Sequence, residues 1–199
     1  MSTILLIVLV VVALVVLWGV AVYNKLVGLK NRVANSWGQI DVQLQRRYDL
    51  IPNLIETVKG YMAHEKSTLE AVVEARNQAV AARKALQEAG GPASGESLQQ
   101  LMGAETALKG ALGNIFALSE SYPQLRASET MQNLQEELRT TENKIAFARQ
   151  AYNDQVMLYN TSQQQFPAVL LAATFGHHPA DLYELTEEKA RSAPKVSFS

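Results

Sequence analysis

The chain has 199 residues, no cysteine and a formal charge of −1. Without cysteine there are no disulfides and no thiolate–metal sites, and the near-neutral balance excludes the basic footprint of a nucleic-acid binder. Aromatics are only 7% of residues, and the weight on Ala, Leu, Gln, Glu, Lys and Arg favours long helices over strands.

The first element is apolar. From Ile4 to Val22 run 19 residues without a charge, fifteen of them Ile, Leu or Val. As an α-helix this run spans about 28 Å, close to the hydrocarbon thickness of a bilayer. Residues 4–23 are therefore expected to be a transmembrane helix. Ile4, Leu9, Leu14 and Val22 would be anchor positions, with Trp18 and Tyr23 at the interface. A cleaved signal peptide is the main rival, since Gly19 and Ala21 fit a cleavage spacing. Against it, no Lys or Arg precedes the run, which is also longer than a usual signal core. A buried core helix would show a polar stripe, and there is none. Lys25, Lys30, Arg32, Arg46 and Arg47 follow the span, opposed in that stretch only by Asp41. The positive-inside rule then puts the short N-terminus, residues 1–3, outside and the bundle in the cytoplasm.

Next comes a helical seam. Leu26, Leu29, Val33, Trp37, Ile40, Leu44 and Ile51 fall on a three-and-four spacing with no turn residue before them. One helix is expected from Thr3 to about Leu50, a stalk standing on the bilayer. Pro52 breaks or restarts it, with Asp49 as a cap. If Pro52 only kinks the helix, the reversal moves to about His64. A second seam of Leu54, Val58, Tyr61, Leu69, Val72 and Leu86 lasts to about Glu88. The linker Gly90-Gly91-Pro92-Ala93-Ser94-Gly95 follows. A third helix, Glu96 to Ser119, carries Leu98, Leu101, Leu108, Leu112, Ile115 and Leu118, and Ser121-Tyr122-Pro123 closes it. A fourth starts near Ser128, with Met131, Leu134, Leu138, Ile145, Ala148, Tyr152, Val156 and Tyr159 on its seam. Such stripes bury one another around a shared axis, so residues 24–165 are expected to form an antiparallel four-helix bundle. Residues 166–199 form a tail, with an apolar patch at Ala168 to Phe175 and a turn at Gly176-His177-His178-Pro179. The patch is free to dock on the bundle, touch lipid or meet another subunit.

The chemistry is sparse. His64-Glu65 lacks the second histidine of H-E-x-x-H, with Thr68 in its place. His177 and His178 are read as surface turn residues, because adjacent histidines do not readily share one metal. No phosphate loop or nucleophile elbow is present, and no cofactor is expected. Asp41, Arg46, Arg76, Glu142 and Arg149 lie on or beside helix seams. With Arg47 they are the candidates for a charged network or an interaction surface.

Several blocks of residues resemble the LemA family. They are Tyr23-Asn24-Lys25-Leu26-Val27, Trp37 to Leu44, Arg46-Arg47, Asp49 to Leu54, Thr57 to Tyr61 and His64-Glu65. Glu120 with Tyr122-Pro123, Thr141-Glu142, Ile145-Ala146, Ala148-Arg149, Tyr152-Asn153, Tyr159-Asn160 and Ala193 to Phe198 continue the likeness. The chain departs where the family shows aromatics after Phe-Gly; here stand His177, His178 and Leu182-Tyr183. The resemblance implies an anchored antiparallel bundle, N-terminus outside, of a family without an assigned enzyme activity, and no enzyme activity is expected. It also implies links to membrane zinc metalloproteases of the HtpX type or to membrane-organelle biogenesis. The expected function is a non-enzymatic scaffold or adaptor that touches the lipid bilayer and self-associates, contacting partners through Arg46-Arg47 and the Ala168–Phe175 patch. The alternatives are a membrane-remodelling oligomer and, more remotely, a hydrolase built from His64, Glu65 and Glu142.

Overall fold

The computed structural model describes residues 2–92 and 95–184, and every regular element among them is a helix. The linker residues Ala93 and Ser94, the acidic run after Leu185 and the Ala193–Phe198 ending lie outside the described residues. The helices are α1 (Ser2–Lys59), α2 (Lys66–Glu88), α3 (Gly95–Ser119), α4 (Pro123–Arg126), α5 (Glu129–Gln164) and α6 (Val169–Ala172).

Helix α1 is 58 residues long and carries Pro52 inside it. Of the two expectations for Pro52, the break or restart is therefore corrected, and the alternative of one very long helix with its reversal about His64 is what forms, at residues 60–65. A proline has no N–H to give to the carbonyl four residues earlier, which here belongs to Tyr48. Arg76 supplies the missing donor: its Nε lies 2.8 Å from the Tyr48 carbonyl oxygen. Asp49 is not a cap but accepts from Gln45 Nε2 at 2.7 Å. Because α1 ends at Lys59, the three-and-four spacing loses its meaning just beyond. Tyr61, expected on the seam, is exposed, and Met62 takes the buried place.

The chain packs as two units. The first comprises Met1–Leu44 and Glu142–Leu182. Residues 3–18 of α1 are exposed at every position, and the packed face begins near Gly19. From there Leu26, Leu29, Val33, Trp37, Ile40 and Leu44 are buried, as are Ile145, Tyr152, Val156 and Tyr159 of α5. Burying one such side chain stabilises by about 1.5–3 kcal/mol, so this stripe decides the pairing. The Trp37 and Tyr152 rings meet edge-on with centroids 5.6 Å apart. Seven residues on, Tyr159 reaches the level of the histidine that touches Tyr23, so α5 runs antiparallel to α1.

The second unit comprises Gln45–Thr141 and Tyr183–Ser199. Here the end of α1, the helices α2 and α3, and the start of α5 bury Ile51, Leu54, Val58, Val72, Leu86, Leu101, Leu108, Ile115, Met131 and Leu138. Helix α2 stops at two left-handed glycines, Gly90 (φ +89) and Gly91 (φ +94). The Gly91 amide returns to the Leu86 carbonyl at 2.9 Å, satisfying an end the helix cannot. Two short elements escaped the sequence: α6, within the apolar patch of the tail, and α4, a single turn that starts with Pro123 at its first position and buries Leu125.

Candidate functional site

Two places concentrate polar chemistry, one in each unit. In the second, Glu105 is 2% exposed and Arg47 4% exposed, and they form a salt bridge in the core. Tyr48, fully buried, donates its hydroxyl to the same carboxylate. Arg76 donates to the Tyr48 backbone, and Arg83 Nη1 reaches Gln45 Oε1 at 2.6 Å. Two charges leave water here at a cost that only close pairing and further hydrogen bonds offset. A carboxylate this enclosed meets no dissolved substrate, and what it does is lock α3 against α1 in one register. Arg47, expected at a contact surface, is instead interior. The reason is spacing: it lies three residues beyond Leu44 and four before Ile51, on the packed face. Arg46, one residue earlier, is exposed and lies 3.9 Å from Glu137, a separation that contributes little.

Glu105 was absent from the sequence candidates. It lies four residues after Leu101 and three before Leu108, on the seam itself, and a carboxylate there is a request for a buried cation. Tyr48 was passed over in the same way, although it continues the Leu44–Ile51 stripe.

In the first unit the segment after α5 turns back on the helix pair. Gly176 takes a left-handed φ of +72, and the amide of His177 bonds the Ala172 carbonyl at 3.0 Å, the same stop that ends α2. That turn sends His177 inward. It is 6% exposed, not the surface residue its turn position suggests; His178 is the exposed one. Its Nδ1 lies 3.0 Å from Tyr159 Oη, and its ring stands edge-on to Tyr23 and Tyr159. His177 Nε2 is buried with no hydrogen-bond partner among the described residues. Burial, then the charge of Lys30, then His178 hold this imidazole below its ordinary pKa of 6.5. Burial also raises the Tyr159 phenol. Beyond the turn, Asn160 grips the backbone of Ala180 from both sides: Nδ2 donates to the carbonyl at 2.8 Å, and Oδ1 accepts from the amide at 2.9 Å. Tyr152 adds a bond to the Asp181 carbonyl at 2.9 Å. These three side chains form a clasp that holds an irregular segment on α5.

Asp41, Glu142 and Arg149 are half-buried in the first unit. His64 is exposed in the turn after α1, and Glu65 beside it accepts from Tyr122 Oη at 3.0 Å. Of the anchor residues, Ile4, Leu9, Leu14 and Trp18 are exposed, Val22 is half-buried, and Tyr23 packs its ring on Phe175 at 5.3 Å. Among the described residues α1 is the one helix long and apolar enough to cross a bilayer. A groove of about 620 Å³ lies between α1 and α5 in the first unit, flanked by the exposed side chains of Val42 and Phe147.

Comparison with known proteins places the chain. The model of the LemA family matches residues 36–198. Three curated proteins are similar: magnetosome proteins MamQ 1 and MamQ 2 of Paramagnetospirillum magneticum, and magnetosome protein MamQ of Magnetospirillum gryphiswaldense. Each is 27% identical, over 88% of this chain and 68% of the relative.

Proposed function

The chain belongs to the LemA family, and from that premise we propose that it is a membrane-anchored, non-enzymatic helical scaffold that self-associates at the bacterial inner membrane. The observation that carries this reading is α1. Its first sixteen described side chains are all exposed and apolar or uncharged, and the same helix then supplies the packed face of the first unit. Water does not tolerate so long an apolar surface, and lipid does. The basic residues Lys25, Lys30 and Arg32 that follow favour a cytoplasmic bundle.

Self-association is assigned to the groove flanked by Val42 and Phe147. Copies anchored in one bilayer present that groove at the same height, so a two-fold contact needs no further alignment. Both side chains are large, apolar and exposed, the composition of an interface core.

The test is native mass in mild detergent. A discrete multiple of 21.9 kDa that Phe147→Glu reduces to the single chain supports the scaffold. A monomer at all concentrations overturns self-association. A mass that includes a co-purifying membrane protease would make the protein an adaptor. Orientation is read separately: a cysteine at the exposed Gln78 should resist an impermeant maleimide in intact cells and react after lysis.

A further inference from the structure

We propose that residues 165–176, the hook that follows α5, form a second membrane contact whose tip enters the headgroup and upper acyl layer beside the end of the span. This rests on the bilayer reading of α1 given above.

The hook is apolar beyond what a water-exposed turn needs. From Gln165 to Gly176 there is no charged residue. Phe166 is 80% exposed and Leu170 66% exposed, with Val169 exposed between them. Its inner side is fixed to α1. Leu171 Cδ1 sits 4.0 Å from the place where a Cβ on Gly19 would be, and the Phe175 ring packs edge-on to Tyr23. Gly19 lies three residues inside the uncharged run that ends at Val22, about 4.5 Å along the helix. The depth of Leu171 is therefore set by the span: where Gly19 is in lipid, the tip of the hook is too. Val169 and Leu170, two residues and one residue before Leu171, leave their apolar side chains exposed.

A turn at this depth must satisfy its own amides, because lipid offers no hydrogen bonds. The hook does so. Val169 bonds to Gln165, Leu171 and Ala172 to Ala168, Phe175 to Leu171 and Gly176 to Ala173, all at 2.9–3.0 Å, and Leu170 bonds to Pro167 at 3.2 Å. Pro167 has no amide to satisfy. Such a self-contained apolar turn suits the 5–10 Å layer in which interfacial helices lie.

The chain has no native cysteine, so single-cysteine variants of the full protein carry one probe each. Leu170→Cys, Val12→Cys and Gln78→Cys are labelled with an environment-sensitive fluorophore and reconstituted into vesicles of phosphatidylethanolamine and phosphatidylglycerol. The label at Leu170 should be quenched by spin-labelled lipid carrying its nitroxide near the glycerol end, and several-fold less by iodide than the label at Gln78. The label at Val12 should respond most to a nitroxide near the methyl end. Iodide quenching at Leu170 equal to that at Gln78, with Val12 still shielded, overturns the hook and leaves the anchor standing. Iodide quenching at Val12 as well overturns both. A Leu170 label shielded from iodide and from lipid nitroxides, with Leu170→Cys disulfides forming between copies, overturns the lipid contact in favour of a second copy.

Discussion

The cluster around Glu105 and the clasp around His177 both bury hydrogen-bonding side chains in an all-helical chain, and they do so by opposite means. The cluster is charged and joins regular elements. Arg47 and Glu105 come from two long helices, each already held by an apolar stripe, and their pairing selects one register among those the stripes would allow. The clasp is neutral and holds a segment with little regular structure of its own. Tyr152 stands about two turns before the adjacent Tyr159 and Asn160 on α5, and the three bind backbone or ring atoms between 177 and 181. Charge suits the first task because a mispaired buried ion is costly. Neutral groups suit the second because they release a segment at modest cost.

The largest effect should come from breaking the charged pair on one side only. Glu105→Leu leaves Arg47 buried without its carboxylate and is expected to lower stability by about 3–5 kcal/mol. Adding Arg47→Met to it should restore most of that loss, as read by chemical denaturation of the detergent-solubilised protein. A double variant no better than the single would remove the distinction drawn here. Next in size is the proline repair. Arg76→Met should cost about 1–3 kcal/mol, the range for an unsatisfied buried carbonyl. With Pro52→Ala the new amide at position 52 serves the Tyr48 carbonyl, so the same change at Arg76 should cost distinctly less. Equal costs in the two backgrounds would show that Arg76 acts through something else.

Asn160→Ala removes two hydrogen bonds to Ala180 and should loosen the clasp by about 1–2 kcal/mol. Hydrogen exchange should quicken at residues 177–184 and stay unchanged in α2 and α3. A global shift as large as that of Glu105→Leu would make the clasp part of the main fold. The smallest effect is that of pH. Above about 6.5 the His177 ring is neutral whether packed or free, and the clasp has its full strength. As pH falls below that value the free ring takes a proton that the packed ring resists, so protection of the segment should decline until the depressed pKa is reached. His177→Phe should abolish this slope while keeping the segment packed.

The helices were legible because their apolar spacing repeats over many turns, and a long stripe outvotes local exceptions. The same strength hid the exceptions. Pro52 reads as a stop when only the chain's own amides are counted, and the donor that rescues it lies 24 residues away on another helix. Tyr61 continued a spacing whose helix had already ended. Of the polar candidates, Arg47 and Arg76 do belong to one cluster, while its central residue, Glu105, was missed among leucines. His177 was misplaced because its direction depends on the left-handed turn at Gly176, which a glycine permits but does not announce. Of the clasp residues, Tyr152 and Tyr159 were legible as seam positions and Asn160 as part of a family-like block, but not as a clasp, since their partners are backbone groups or a histidine far along the chain.

The face of α1 that packs is continuous from the end of the apolar run into the buried stripe. Gly19, Tyr23, Leu26, Val33, Trp37, Ile40 and Leu44 follow one another by three, four or seven residues, so the seat of the hook and the buried stripe share one rotational phase. A single residue inserted between Val22 and Leu26 would turn the span by about 100° against that stripe and swing Gly19 away from Leu171. The end of the apolar run is thus indexed about its own axis, with one side of it given to the chain's own packing.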